Sequence, residues 1–166
     1  AIGVSLAQGG TTHGAEFIAF YDPVPGKAIG LATELDGFFD ATVVAVDSSD
    51  PAGYDLVVNA SAVGLGNDDP LPCDVDRMEP HAALFDILLR NQPTPLVRAA
   101  RSRGLHAQPG FEMLIQQMPF YLDYFGLPEA AQMVREDANF VRELIYPPAL
   151  AAEIAQPLRY HSASVA

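Results

Sequence analysis

The residues of this chain best suited to hold a small polar ligand are Asp22, Asn59-Ala60-Ser61, the residues after Asp86 and the run from Gly110 to Gly126. Gly110 offers backbone that a ligand can approach closely. The residues after it have helical spacing, with Met113, Leu114, Met118, Tyr121, Leu122 and Phe125 mostly three and four apart. Gln117 falls four residues after Met113 and therefore on the same face. An amide among apolar neighbours reads either as a hydrogen-bonded core residue or as a ligand contact. Pro119 is expected to kink this helix or start a new one, and Gly126 with Pro128 to end it. In Asn59-Ala60-Ser61 small side chains let a flat group lie against backbone, and Asn59 can pin the loop. Asn and Ser are also ordinary turn residues. Asp22 precedes Pro23, where a carboxylate can accept from a ribose diol or simply start a turn.

Composition removes several function classes. A net charge of -12 argues against nucleic acid, which needs clustered Lys and Arg. Lys27 is the only lysine, and Arg98, Arg101 and Arg103 read as the solvated face of a helix. Cys73 is the single cysteine, so an internal disulfide is excluded, and it reads as a loop bystander. Asn67, Asp68, Asp69, Asp74 and Asp76 lack the spacing and terminal glutamate of a calcium loop and read as a solvated acidic stretch. His13, His81, His106 and His161 fall in no metal or triad spacing. No apolar run reaches the roughly 18 residues of a membrane span. No signal peptide pattern opens the chain, which leaves a cytoplasmic location as the expectation.

Strands and helices alternate. Strands are expected at 16–21, 42–46, 55–59, 82–89 (with Asp86 inside) and 105–108. Helices are expected at 27–39, at 93–103 with Pro95 in the first turn, at 110–126 and at 128–145. Residues 1–8 read as a helix without a start, which suggests a missing upstream segment. The glycine-rich loop 9–14 follows that helix. Phosphate cradles need strand, loop, helix, so this loop reads as a connector. Residues 1–146 are expected to form one domain and 147–166 a weakly patterned tail, with a short helix near 149–155 and a docking place on an upstream domain. The alternation implies an α/β class, a parallel sheet in three layers. Ligands of such sheets bind beyond the C-terminal strand ends. That rule groups Asp22, Asn59, Ser61, the residues after Asp86, and Gly110.

These motifs together resemble the nucleotide-binding half of the shikimate dehydrogenase family. The family's Asn-Ala-Thr/Ser-x-x-Gly turn is matched by Asn59-Ala60-Ser61-Ala62-Val63-Gly64. Its Asp-x-x-Tyr strand leading to Thr-Pro-Leu is matched by Asp86-Ile87-Leu88-Leu89 and Thr94-Pro95-Leu96. Its Gly-x-x-Met-Leu-x-x-Gln motif is matched by Gly110 to Gln117. The resemblance covers residues 1 to about 145. It implies a Rossmann-like fold without its first strand and glycine-rich loop in this chain, and NAD(P)-linked oxidation of a cyclic hydroxy acid such as shikimate or quinate. It further implies that Gln117 hydrogen-bonds substrate, that Gly110 and Met113 face the nicotinamide, that the Leu88 backbone contacts its ribose, and that Ala60, Ser61 and Ala62 line the cofactor groove.

Two departures matter. Leu89 stands where the family has a substrate-touching tyrosine, which suggests an altered substrate. Asp22 stands where NADP-preferring relatives carry Asn-Arg-Thr, so both the resemblance and the repulsion of a 2′-phosphate by a carboxylate favour NAD over NADP. The resemblance places the catalytic Lys and Asp in an upstream substrate domain, and Lys27 is not that lysine. No catalytic residue is therefore expected in this chain. The expected function is the cofactor-binding part of an NAD-dependent shikimate/quinate dehydrogenase-like oxidoreductase. The alternative is a non-catalytic dinucleotide-binding regulatory module. A small hydroxy acid is the expected substrate, a homodimer is compatible with these features, and nucleic acid, membrane and metal are not expected.

Overall fold

The computed structural model describes residues 14–37, 41–66 and 68–154. The helix expected at 1–8, the loop at 9–13, Asn67, His13 and His161 lie outside the described residues. The chain divides into two compact units, through Ser49 and from Asp50.

In the first unit, β1 (Phe17–Phe20) pairs in parallel with β2 (Thr42–Ala45). Between them α1 (Lys27–Leu35) buries Ala28 and Ala32. Gly26, at φ 85°, makes the turn into α1, a conformation that a side chain would strain.

In the second unit, β3 (Leu56–Asn59), β4 (Ala83–Asp86) and β5 (His106–Pro109) form a parallel sheet in that order. A 3₁₀ turn (Val75–Arg77) precedes β4, and its entry is capped by Asp74, which accepts from the Asp76 N–H. Between β4 and β5 runs α2 (Pro95–Ser102). The hydroxyl of Thr94 accepts from the Val97 N–H at its start, and Pro95 supplies a preset φ in the first turn. After β5 come α3 (Phe111–Tyr124), α4 (Pro128–Glu136), α5 (Asn139–Ile145) and α6 (Pro148–Ile154). The class is α/β, with parallel sheets and flanking helices, as the sequence implies.

One apolar cluster joins Leu84 and Ala107 of the sheet to Leu96, Val97 and Ala100 of α2 and to Val75 and Met78. A second joins Ile115, Val134, Val141, Tyr146 and Leu150, one from each of α3 to α6 and the link between the last two. Leu150 is fully buried, so residues 148–154 pack into this unit despite their weak sequence pattern.

Three local expectations are corrected and one is narrowed. The strand read as 82–89 stops at Asp86, because the Asp86 carboxyl takes the Leu88 N–H and turns the chain. The helix read as 128–145 breaks at Asp137, whose backbone is extended and whose Oδ1 accepts from the Asn139 N–H to start α5. Pro119 sits buried within a continuous 14-residue α3, so of the two expectations for it the start of a new helix is excluded. Arg98, Arg101 and Arg103 are clamps. Arg98 holds Glu153 of α6, Arg101 reaches the carbonyl of Ile154, and Arg103 reaches Asp76 and the carbonyl of Val75. Among the described residues no helix is long and apolar enough to cross a membrane.

Candidate functional site

The register of the second sheet sets Asn59, Asp86 and Pro109 side by side in one row across the C-terminal strand ends. Each of the three sequence motifs leaves the sheet from that row. Asn59 is buried and fully used. Its Nδ2 donates to the Val63 carbonyl at 3.1 Å and to Asp86 Oδ1 at 3.1 Å. Its Oδ1 accepts from the Ser61 N–H at 3.1 Å and the Ser61 hydroxyl at 2.7 Å. Asn59 therefore pins the turn, as its type and place suggested. The turn leaves Ala60, Ser61 and Ala62 exposed, three small side chains over which backbone is accessible. Further along, Asp69 Oδ2 accepts from the N–H groups of Gly64 and Gly66. The acidic stretch thus includes a loop fastener, and Arg90 donates to the Gly64 carbonyl from the other side.

Asp86 has no exposed surface. It accepts from Asn59, from the Leu88 N–H at 3.3 Å and from the Thr94 hydroxyl at 2.5 Å. A buried carboxyl is tolerated only when its oxygens are hydrogen-bonded. Asp86 thereby ties together the ends of β3 and β4 and the start of α2. Its role is positional, and it is the last residue of β4 rather than an interior one.

Gly110 opens α3 in ordinary helical backbone, with φ -57°. A Cβ built there would lie 2.4 Å from the Ile87 carbonyl oxygen and 2.8 Å from that of Leu88. Close approach of two backbone segments thus explains the glycine, and it locks the start of α3 onto the turn containing Leu88. On α3, Met113 and Gln117 are both half-buried, and Tyr121 donates its hydroxyl to Gln117 Oε1 at 3.2 Å. Leu89 is exposed at 49%.

Sequence reasoning missed the most elaborate ion pair of the unit. Glu112, only 7% exposed, is held by Arg142 through two hydrogen bonds and by the Tyr146 hydroxyl. Burial pushes the Glu112 carboxyl upward, but the hydrogen bonds and charge of Arg142, with those of Tyr146 and Gln116, outweigh it and hold the group below the usual range. Burial and the neighbouring Glu112 push the Tyr146 hydroxyl upward. The available signal was a charged residue within the otherwise apolar opening of α3. A cleft of about 460 Å³, lined by Gln116, Phe120, Arg135 and Arg142 among others, contains none of the expected site residues. Among the described residues no cluster of His, Cys, Asp and Glu could hold a metal ion.

In the first unit, Asp22 Oδ1 accepts from the Val24 N–H at 2.8 Å. This is the turn-starting role open to any Asp before Pro, so the presence of this carboxylate needs no ribose diol to explain it.

No family model matches the chain. A shikimate dehydrogenase (NADP(+)) of Rubrobacter xylanophilus is 36% identical over 121 residues, 70% of this chain and 41% of the relative. Further curated relatives, between 27% and 40% identical, bear the same name. The chain belongs to the shikimate dehydrogenase family. It spans about two fifths of the length of the curated relatives it matches first. Two solved structures share the fold. Ligand-free 5-ketofructose reductase of Gluconobacter sp. aligns with TM-score 0.64 and 20% identity, over 81% of this chain and 51% of that one. Shikimate dehydrogenase from Aquifex aeolicus aligns with TM-score 0.54 and 24% identity, over 75% and 46%.

The relatives correct the cofactor expectation. Their names specify NADP(+), against the NAD preference read from Asp22. With one oxygen of Asp22 engaged in its own turn, the residue type alone was too weak a basis for that preference.

Proposed function

We propose that this chain is the dinucleotide-binding part of a shikimate dehydrogenase-type oxidoreductase that uses NADP and acts on a cyclic hydroxy acid. The observation that carries the reading is the row Asn59, Asp86, Pro109, from which all three motifs emerge at the ligand-binding edge of a parallel sheet. The exposed backbone at Ala60, Ser61 and Ala62 fits a flat cofactor. When bound, the nicotinamide supplies or accepts the hydride. The chain's own residues then do the positioning. Asn59 keeps the groove turn in one shape, and the Leu88 backbone meets the nicotinamide ribose. Gly110 and Met113 border the ring, and Gln117 hydrogen-bonds the substrate. The proton of the substrate hydroxyl is left to groups outside this chain. Lys27, which opens α1, is the cation nearest in sequence to Asp22 and would offset its charge toward a 2′-phosphate.

Leu89 favours a second reading of the substrate. An exposed leucine cannot make the hydrogen bond of a tyrosine, so quinate or another hydroxy acid is expected to compete well with shikimate. The test follows reduced-cofactor absorbance with the complete protein, shikimate and quinate, and NADP and NAD side by side. Faster turnover with NADP, lost in Gln117→Ala, is the expected result. A preference for NAD would refute the cofactor assignment. Neither turnover nor calorimetric binding of either dinucleotide would refute the whole reading.

A further inference from the structure

Glu112 lies in the first turn of α3, next to Met113 and five residues before Gln117. At about 100° per residue, Met113 and Gln117 stand about 40° apart on the helix, with Glu112 about 100° to 140° round from them. The carboxyl therefore faces away from the residues assigned to the ligand, and it is gripped from elsewhere in the chain. Arg142 donates from Nε to Oε1 at 2.7 Å and from its terminal nitrogen to Oε2 at 2.8 Å. Tyr146 donates to Oε1, and its ring tilts against Phe111 at 5.9 Å. Arg142 is steadied in turn by Asn139 Oδ1 at 3.0 Å. The apolar contacts of Ile115 with Val134, Val141 and Leu150 hold α3 against the unit, but such contacts are non-directional. A two-point guanidinium–carboxylate pair fixes geometry.

We infer that Glu112, through Arg142 and Tyr146, is a positioning residue that sets the rotation of α3 about its axis and so the reach of Gln117 toward substrate. The inference rests on the proposed role of Gln117. A rotation of about 10° carries a side-chain tip at the helix's outer radius of about 6 Å by about 1 Å. A misplacement of about 1 Å can cost on the order of 10²-fold in rate.

The test uses the complete protein with Glu112→Gln and Tyr146→Phe, and methionine methyl NMR beside kinetics. The chain has four methionines. Met113 and Met118 lie on α3, while Met78 belongs to the other apolar cluster and serves as control. The expected result is a displaced Met113 methyl resonance with Met78 unmoved. Turnover per KM for the hydroxy acid should fall about tenfold or more, with the dinucleotide KM within about twofold. Tyr146→Phe, which keeps the Arg142 pair, should change both in the same direction by less. A lowered melting temperature with Met113 and both KM values unchanged would overturn the inference and leave Glu112 structural only. If the wild type turns over no hydroxy acid, the proposed function fails. The methyl spectrum still decides: Met113 displaced alone supports positioning, and no displacement overturns it. If Glu112→Gln does not fold, Tyr146→Phe carries the same comparison.

Discussion

Gly110→Ala separates two effects that normally run together. Replacing glycine by alanine in helical backbone stabilises by about 0.4–1 kcal/mol through the unfolded chain, provided the new methyl has room. At Gly110 it has none. The Cβ would meet the Ile87 carbonyl oxygen at 2.4 Å and its carbon at 2.6 Å, and both are backbone atoms that cannot rotate away. An ordinary contact begins near 3.4 Å, so α3 and the Ile87-Leu88 turn must part by about 1 Å. Overpacking of this kind costs about 1–3 kcal/mol, and a rigid neighbour puts the case toward the upper end. The net expectation is a loss of about 1–2.5 kcal/mol. Because the displaced parts are the helix of Gln117 and the turn of Leu88, activity should fall on the order of 10²-fold. Gly30→Ala is the control. Gly30 lies inside α1 with nothing within 4 Å of a built Cβ, and the change should stabilise by about 0.5–1 kcal/mol. Urea titration of the purified proteins measures both. If Gly110→Ala proves as stable as the wild type while Gly30→Ala gains as expected, the close approach at Ile87 is not a feature of the folded protein.

Thr94→Val removes both a donor to buried Asp86 and the cap on Val97, and should destabilise by about 2 kcal/mol, whereas Thr94→Ser keeps both bonds and should remain near wild type in the same titration. Burial, with Asp74 and Asp86 nearby, pushes the Cys73 thiol up to about 11, so Ellman's reagent at mildly alkaline pH should react slowly with the native protein and fast in urea. Rapid reaction of the native protein would contradict that burial. The Glu112 carboxyl is held below its ordinary value of 4.5, so its stabilisation is complete above that pH and is lost as pH falls through the lowered folded value. Melting temperature followed from neutral to acid pH should therefore fall less steeply in Glu112→Gln than in wild type, and equal slopes would refute the assignment.

The order of strands and helices was legible because period and punctuation act locally. Thr94-Pro95 starts α2, and Gly104 and Gly126, both at positive φ, follow the ends of α2 and α3. Of the residues grouped from the sequence, Asn59, Ser61, those after Asp86 and Gly110 were legible together because a parallel sheet brings the residues after its strands to one edge. What was not legible depends on partners distant in sequence. Arg142 meets Glu112 thirty residues away, and Arg98 meets Glu153 fifty-five away; no local pattern distinguishes either arginine from a solvated one. The break at Asp137 was hidden because apolar residues three and four apart (Ala131, Val134, Ala138, Val141) continue through it while its carboxyl recruits the Asn139 N–H. Asp22 shows a different limit: the carboxylate type suggested NAD, yet one of its oxygens already serves the turn two residues on, and the relatives name NADP(+).

The two buried acids of the second unit reveal how this end of the molecule is held. Asp86 is surrounded by neutral donors, an amide at the end of β3, a backbone N–H in the turn after β4 and the hydroxyl that caps α2. Glu112 is surrounded by a cation and a phenol. Each acid must keep its partners or bear the cost of desolvation, so each fixes the relative placement of the segments that supply them. Apolar packing supplies cohesion without direction, whereas these charge-assisted bonds also fix angle. The turn of Ala60 to Ala62 is governed by Asn59 and Asp86, and the start of α3 by Gly110 and Glu112. The residues assigned to cofactor and substrate therefore sit on backbone fixed by directional bonds, while the apolar clusters beneath them supply cohesion. A ligand at the proposed site would meet a largely preformed surface, with the tightest constraints on residues that need not touch it.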